Sequence, residues 1–281
     1  MNIQWYPGHM AKTRRELTEN ISKVDLVAEL IDARIPVSSR NPVLAEIAGG
    51  KRRIAVLNRA DLADPSQTER WKNALIKELG YCIVCDSKSG RGCNAFLTEA
   101  RKALSEKIAR LEAKGMSSSL KVMIVGIPNV GKSSFINRIS GKKAARAEDR
   151  PGVTREKQWY RLSNGLDLLD TPGMLWPKLG DEQTGLALAY TGAVKDEILD
   201  TWELSLNLIS ALMTAAPGAI SGRFGVEEAP AADPQEVFDA IAAKRGMIRR
   251  GGEVDQERTS AVLLDEFRSG KLGRITLEKC L

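Results

Sequence analysis

Residues 126–133 read GIPNVGKS, the G-x-x-x-x-G-K-[ST] pattern of a loop that cradles phosphates. The apolar run KVMIV (121–125) precedes it, and SSFINRIS (133–140) follows with helical character. A strand, a glycine-rich turn and the start of a helix are the context that this motif needs. Gly126 and Gly131 allow backbone N–H groups to wrap closely around phosphate oxygens. Lys132 reaches the β- and γ-phosphates, the Ser133 hydroxyl is placed for Mg²⁺, and the helix N-terminus favours the anion. Asn129, Val130, Gly131, Lys132, Ser133 and Ser134 are therefore candidate nucleotide contacts.

Downstream, LDLLD (166–170) leads into DTPG, Asp170 to Gly173. A carboxylate at a strand end is a second candidate Mg²⁺ ligand, and the Gly173 N–H is a candidate partner for the γ-phosphate. Between the two motifs, RPGVT (150–154) offers Thr154 as a further candidate for Mg²⁺ and for the nucleotide, on a switch loop. Reading guanine requires a carboxylate that accepts from N1–H and the exocyclic amine, and its usual carrier is Asn-Lys-x-Asp after a strand. Nothing of that form follows DTPG. It stands upstream, in RIAVLNRAD (53–61), as Asn58, Arg59, Ala60 and Asp61. DSKSG (86–90), after YCIVC (81–85), reads as the loop that closes over the base through Asp86 and Ser87. The base-reading segments thus precede the phosphate-reading ones. A compact domain tolerates this order when its chain is cut in one loop and rejoined at another.

The rest of the pattern agrees. VDLVAELI (24–31), RIAVLN (53–58), YCIVC, KVMIVG (121–126) and LDLLDT (166–171) read as buried strands, and QWYRL (158–162) as an edge strand beside the last. TERWKNALIKEL (68–79) places Trp71, Leu75, Ile76 and Leu79 on one helical face, and 94–115 reads as one long helix ending in Gly115. Residues 115–119, GMSSS, read as a short joint. Alternating strands and helices predict a doubly wound, mostly parallel α/β sheet. After about residue 177 the strand runs stop. Helical patterns at 197–213, 234–246 and 259–273, the last stopped at Gly270, predict a small all-α domain over 178–281 behind a nucleotide domain over 1–177.

With 43% apolar and 28% charged residues, the composition is that of a globular chain. No apolar run approaches the roughly 20 residues of a membrane span, and Lys12, Arg14, Arg15, Glu16 and Glu19 leave no room for a signal-peptide core. Cys82, Cys85, Cys93 and Cys280 form no metal-ligand pattern, so buried strand cysteines in a reducing, cytoplasmic setting are expected. The net charge of +6 favours anionic partners. Basic residues cluster at Arg138, Lys142, Lys143, Arg146, Arg150, Arg155, Lys157 and Arg161, and again at Lys244, Arg245, Arg249, Arg250, Arg268, Lys271 and Arg274. Such clusters serve either as solvated faces or as nucleic-acid contacts.

WYPGHMAK (5–12), DARIPVSSRNP (32–42), GIPNVGKSS, DRPGVT (149–154) and LDTPGMLWPK (169–178) together resemble one family of circularly permuted GTPases, the ribosome biogenesis GTPase A family. The resemblance spans the whole chain. It implies GTP hydrolysis coupled to late assembly of the large ribosomal subunit, with rRNA and pre-ribosomal particles as partners. One departure is Arg59, where the family pattern has lysine. Arginine keeps an apolar stem and a planar head that stacks, so guanine preference through Asp61 is expected to survive.

Many GTPases place glutamine just after D-x-x-G to orient the attacking water. Here that residue is Met174, whose thioether cannot position water. His9, in WYPGHM (5–10), is the only histidine in 281 residues. The resemblance gives this histidine the catalytic role, against the alternative of a structural turn residue. Asn129 resembles the asparagine of potassium-stimulated GTPases, which makes K⁺ a candidate cofactor beside Mg²⁺. Two other functions compete with the assembly factor. One is a signalling-type GTPase switch with a protein effector. The other is an RNA-binding module with a decayed nucleotide site, which the presence of Lys132, Ser133, Asp170 and Asp61 disfavours. A monomer is the expected state.

Overall fold

The computed structural model describes residues 10–116, 119–141, 158–162, 165–175, 182–229 and 232–280. Six strands form one sheet: β1 (Leu26–Asp32), β2 (Arg52–Asn58), β3 (Cys82–Val84), β4 (Leu120–Gly126), β5 (Gln158–Arg161) and β6 (Leu166–Asp170). Their spatial order is β3-β2-β1-β4-β6-β5, all parallel except β5, which runs antiparallel to β6 at the edge. The chain winds outward from β1 in one direction and from β4 in the other. The switch point between β1 and β4 is where an open α/β sheet leaves a crevice for a ligand.

β1 is buried along its whole length, and its side chains alternate between the two faces, as strand geometry requires. Leu26, Ala28 and Leu30 enter one core with Val122 and Ile124 of β4. That face is covered by α4 (Ala95–Ala103) and α6 (Lys132–Ser140). Phe96 and Phe135 meet there edge to face at 5.1 Å, a geometry worth about 0.5–1.5 kcal/mol beyond area burial. On the other face Val27, Met123 and Val125 pack under α1 (Met10–Ser22) and α2 (Pro42–Ala48). Ile31 and Leu57 pack under α3 (Pro65–Leu79). α3 has a sequence-encoded start and stop: the Asp64 carboxylate accepts from Gln67 N at 2.7 Å, Pro65 occupies the first turn, and Gly80 closes the helix in the left-handed region. Leu75 is buried on its inner face, with Trp71 and Leu79 partly buried, whereas Ile76 is exposed.

The region predicted as one helix over 94–115 is two. α4 ends at Leu104, and α5 (Ser105–Glu112) starts again from the same residue. Leu104 has left the helical region, with φ −105° and ψ 12°, and is buried in the sheet core. Burying this side chain bends a path that helical periodicity alone would keep straight.

The helices α7 (Glu182–Tyr190), α8 (Thr201–Ala215), α9 (Ala219–Phe224), α10 (Pro234–Lys244) and α11 (Gln256–Arg268) enclose a second core. Leu204, Leu208 and Leu212 of α8 lie at its centre with Phe238, Leu263 and Ile220. Aspartates at 200, 233 and 255 cap α8, α10 and α11 through side-chain oxygens. α7 serves both cores: Ala187 and Leu188 face the sheet, and Leu186, Ala189 and Tyr190 face the helices. No helix among the described residues is long and apolar enough to cross a membrane.

Candidate functional site

The strand register brings the motifs to one edge. Asp32 pairs with Asn58, Leu30 with Gly126, and Ile124 with Asp170, so β1, β2, β4 and β6 all end at the crevice. From Gly126 the chain turns through Asn129, at φ +59°, and Gly131, at φ +98°, into α6. The space around the two motif glycines explains them. A Cβ on Gly131 would lie 2.5 Å from Asn58 Nδ2, and one on Gly173 would lie 2.7 Å from the Pro128 Cα. Gly173 therefore sits directly on the phosphate loop, and the Met174 N–H donates to the Gly126 carbonyl at 3.2 Å.

Asn58 joins the two reading heads. Its Nδ2 donates to Val130 O at 2.7 Å, while its Oδ1 accepts from Ser87 N at 3.0 Å and from Ser87 Oγ at 2.7 Å. The next residue, Arg59, adopts φ +57° and donates from Nη2 to Asn129 O at 2.5 Å. Its Nε lies 3.9 Å from the Asp32 carboxylate. Ala60 N donates to Cys85 O. Asp61 is half-exposed. Asp86 is engaged in its own turn: its carboxylate accepts from Lys88 N and Ser89 N. Burial pushes that carboxyl up, but the bonds from Ser89 and Lys88 outweigh it and hold the group below its usual range. Arg138 of α6 braces the same turn, donating to the carbonyls of Ser87 and Lys88.

Lys132 is buried and folds back, with its Nζ donating to Gly126 O at 3.1 Å and Ile127 O at 2.8 Å. Burial lowers its pKa to about 8 against the opposing pull of Asp170. Asp170 at the end of β6 is buried too. Desolvation raises it to about 6, although Lys132 and the Thr171 backbone pull it down. Its Oδ1 has no hydrogen-bond partner among the described residues. A buried cation and a buried, unsatisfied carboxylate oxygen at one loop form a site prepared for an anion and a divalent metal. Ser133, at the first turn of α6, supplies the hydroxyl. Magnesium fits this donor set of hard oxygens.

Asn129 Nδ2 donates to Gly192 O at 2.7 Å, which ties the phosphate loop to the turn after α7. His9 and Thr154 lie outside the described residues. Met174 packs on the apolar cluster under α1 and α2, so its side chain belongs to that core. Cys82, Cys85 and Cys93 are buried and free. Among the described residues no group of His, Cys, Asp and Glu is arranged to hold a metal by itself.

Two parts of the site were not visible in the motifs. The first is a buried ion pair inside DARIPVSSRNP. Arg34 Nη2 lies 2.7 Å from Asp32 Oδ2, and both side chains are almost wholly buried. The second concerns the downstream basic cluster, for which the sequence leaves a solvated face and a nucleic-acid contact both open. Arg268 is committed to Asp196 and to the carbonyls of Ala189 and Tyr190. Arg245 and Arg249 pair with Glu266 and Asp255, and Lys271 with Asp265. Arg274 binds backbone carbonyls. Lys244 and Arg250 are exposed. Opposite charges nearby in the helical fold absorb much of a charge run that looks unpaired in sequence.

A phosphate loop at the switch point, D-x-x-G on the neighbouring strand and N-x-x-D on a strand that comes earlier in the chain define a circularly permuted P-loop GTPase. Residues 121–214 match the family model described as "50S ribosome-binding GTPase". The chain is 45% identical over 280 residues to ribosome biogenesis GTPase A of Priestia megaterium, covering 99% of this chain and 97% of that protein. It is 30% identical to the protein of the same name from Thermotoga maritima, over 99% and 94% of the two chains. Among solved structures, a GDP-bound and a GNP-bound YlqF from T. maritima each align with a TM-score of 0.65 at 27% identity, over 94% and 95% of this chain and 99% and 98% of theirs. The chain belongs to the ribosome biogenesis GTPase A family, and its enzymatic activity is GTP hydrolysis.

Proposed function

We propose that this GTPase is an assembly factor for the large ribosomal subunit that binds rRNA within pre-ribosomal particles and is stimulated by them to hydrolyse GTP. It would act as a cytoplasmic monomer, with residues 1–177 carrying the nucleotide site and 178–281 contributing to the ribosomal contact. The observation that carries the nucleotide reading is Asn58, which bonds to both Val130 of the phosphate loop and Ser87 of the base-side loop. One side chain thereby fixes the distance between a triphosphate and its base. The names of the relatives support the ribosomal reading.

In this reading Asp61 accepts from the guanine edge, and Arg59 lies along the base with its head on Asn129 O. Ala60, Asp86 and Ser87 shape the base pocket. The backbone of Asn129 to Ser134 wraps the phosphates, and the Lys132 ammonium leaves the loop carbonyls for the β- and γ-phosphates. Ser133, Thr154 and Asp170 would hold Mg²⁺, which supplies charge neutralisation between the phosphates when bound. Gly173 N–H marks the γ-phosphate end. The Asn129 amide nitrogen is bound to Gly192 O, and its oxygen would be the group that holds a K⁺ ion, which would supply further positive charge beside the phosphates. With Met174 in a core, water must be oriented by another group, and His9 takes that role once a particle orders the site.

GTP turnover with and without purified large ribosomal subunits and their precursors, in potassium and in sodium salts, tests this reading. Stimulation by the particles, greater in potassium, is the expected result. Turnover indifferent to every ribosomal particle would move the signalling-switch reading to the front.

A further inference from the structure

The segment that follows α11 runs back across the base side of the sheet. Arg274 donates from Nη2 to Ala60 O at 2.8 Å and from Nε to Ala63 O at 3.0 Å. Ile275 N donates to Leu62 O at 2.9 Å. Thr276 Oγ1 accepts from Asp64 N at 3.1 Å and donates to Ala33 O at 3.2 Å. Further along, Leu277 N donates to Arg34 O, Trp71 Nε1 to Glu278 O, and the Glu278 carboxylate accepts from Val37 N and Ser38 N. Upstream, Gly270 approaches so closely that a Cβ there would lie 2.6 Å from Leu62 Cδ2.

These contacts bracket one residue. The carbonyls of Ala60, Leu62 and Ala63 flank Asp61, and all three are taken by Arg274 and Ile275. The Asp61 carboxylate itself accepts nothing from the described residues. The backbone around it is held by a planar guanidinium, whose fixed fork suits two carbonyls at once. The loop begins at φ +57° on Arg59 and ends on the Asp64 helix cap; its N–H groups at Ala60 and Leu62 bond to Cys85 O and Arg59 O, and Arg274 and Ile275 take its carbonyls on either side of Asp61.

We infer that Arg274 is a positioning residue for guanine selectivity: by bridging Ala60 O and Ala63 O it sets the Asp61 carboxylate for bidentate reading of the guanine edge. The inference rests on the assignment of Asp61 to the base. Loss of the bridge frees the loop, and the two hydrogen bonds from N1–H and the exocyclic amine are no longer made together. Selectivity then falls more than phosphate binding does, because Arg274 does not touch the phosphate loop.

The test compares GTP with ITP, whose base lacks the exocyclic amine, by calorimetric titration of the full chain, the Arg274→Ala and Arg274→Lys variants, and Asp61→Ala. The wild type is expected to prefer GTP by about tenfold, the value of one charge-assisted hydrogen bond. Arg274→Ala should reduce this preference to within about threefold while ITP affinity changes little, and Arg274→Lys, which keeps the charge but loses the fork, should fall between. An unchanged GTP-to-ITP ratio in Arg274→Ala, with Asp61→Ala abolishing it, overturns the inference and leaves the base assignment standing. An unchanged ratio in Asp61→Ala overturns both. If Arg274→Ala fails to fold, Thr276→Val, which removes the neighbouring bond to Asp64 N, must show the same contraction, and an unchanged ratio there overturns the inference.

Discussion

Asn58 and Val130 lie 72 positions apart in sequence, and the amide nitrogen of the first donates to the carbonyl of the second at 2.7 Å. The same side chain accepts from Ser87 on its other end. Replacing it by alanine removes four hydrogen bonds, one of them a weak one from Cys85 Sγ, and strands buried partners, at about 1–3 kcal/mol for each unsatisfied group. Asn58→Ala is expected to weaken GTP binding by more than tenfold and to lower the urea midpoint of the nucleotide-free protein. Ser87→Ala, which keeps its backbone N–H on Asn58, should lose only about 1 kcal/mol. Equal losses in the two variants would contradict the bridging role.

The pH dependence of GTP affinity follows from Lys132. Burial holds the free site's ammonium at about 8, and a triphosphate beside it raises that value. A group whose pKa rises on binding contributes affinity that is complete below its free value and is lost as the pH climbs through its bound value. GTP affinity should therefore fall as pH rises above 8, and binding near pH 8 should take up protons. Titrations in buffers of different ionisation enthalpy measure that uptake, and a binding heat independent of buffer at pH 8 would refute it.

Arg34 and Asp32 make a second prediction with a definite sign. Burial pushes the Asp32 carboxyl up, but the charge and hydrogen bonds of Arg34 outweigh it and hold the group below its usual range. Its contribution is present at neutral pH and lost as pH falls through the folded value. Arg34→Met leaves the buried Asp32 carboxylate with only the backbone N–H at position 34 and the more distant Arg59 Nε at 3.9 Å, a loss of about 3 kcal/mol at pH 7, the lower end of the range for a broken buried pair. Without its partner the Asp32 pKa rises, so the gap between variant and wild type should narrow at pH 4. Urea unfolding at the two pH values reads this directly, and a gap that widens on acidification would exclude it.

His9→Ala should bind GTP as the wild type does and lose about a hundredfold of its particle-stimulated turnover, the scale of a lost general-base or water-orienting group. Full stimulated turnover in that variant would remove His9 from the reaction.

How much of this was legible in the sequence follows from the range of each interaction. The strands and the phosphate loop are written in contiguous residues, and the permuted order shows in the placement of Asn58 and Asp61 ahead of Lys132. Helical periodicity puts the starts of α3 and α8 at 68 and 197, whereas the Asp64 and Asp200 caps set them at Pro65 and Thr201. The break at Leu104 was not visible, because it depends on where the sheet core lies and not on local propensity. α1, α2, α7 and α9 were likewise not assigned. α7 buries every residue from Gly185 to Tyr190 because it serves two cores, and so this part has no amphipathic stripe to find. The pairing of Arg268 with Asp196 and of Arg274 with Ala60 spans 72 and 214 positions, and no periodicity records contacts of that range. The DARIPVSSRNP stretch stands out as a motif, but its ion pair becomes visible only where the fold sets Arg34 and Asp32 side by side in the interior.

The separation between Ala60 and Arg274 bears on how the enzyme is made. Synthesis runs from one end, so the strands β1 to β3 leave the translating ribosome long before the residues that hold their loop in place. Non-local contacts of this kind form late, after the entropy of closing the chain has been met. A nascent chain interrupted within α11 would carry both reading loops and their glycines, yet the carbonyls of Ala60, Leu62 and Ala63 would lack their donors. With Arg274 as the positioning residue, guanine selectivity is completed only after the segment beyond α11 has been made, and a product stopped within α11 would discriminate GTP from ITP less well than the finished chain.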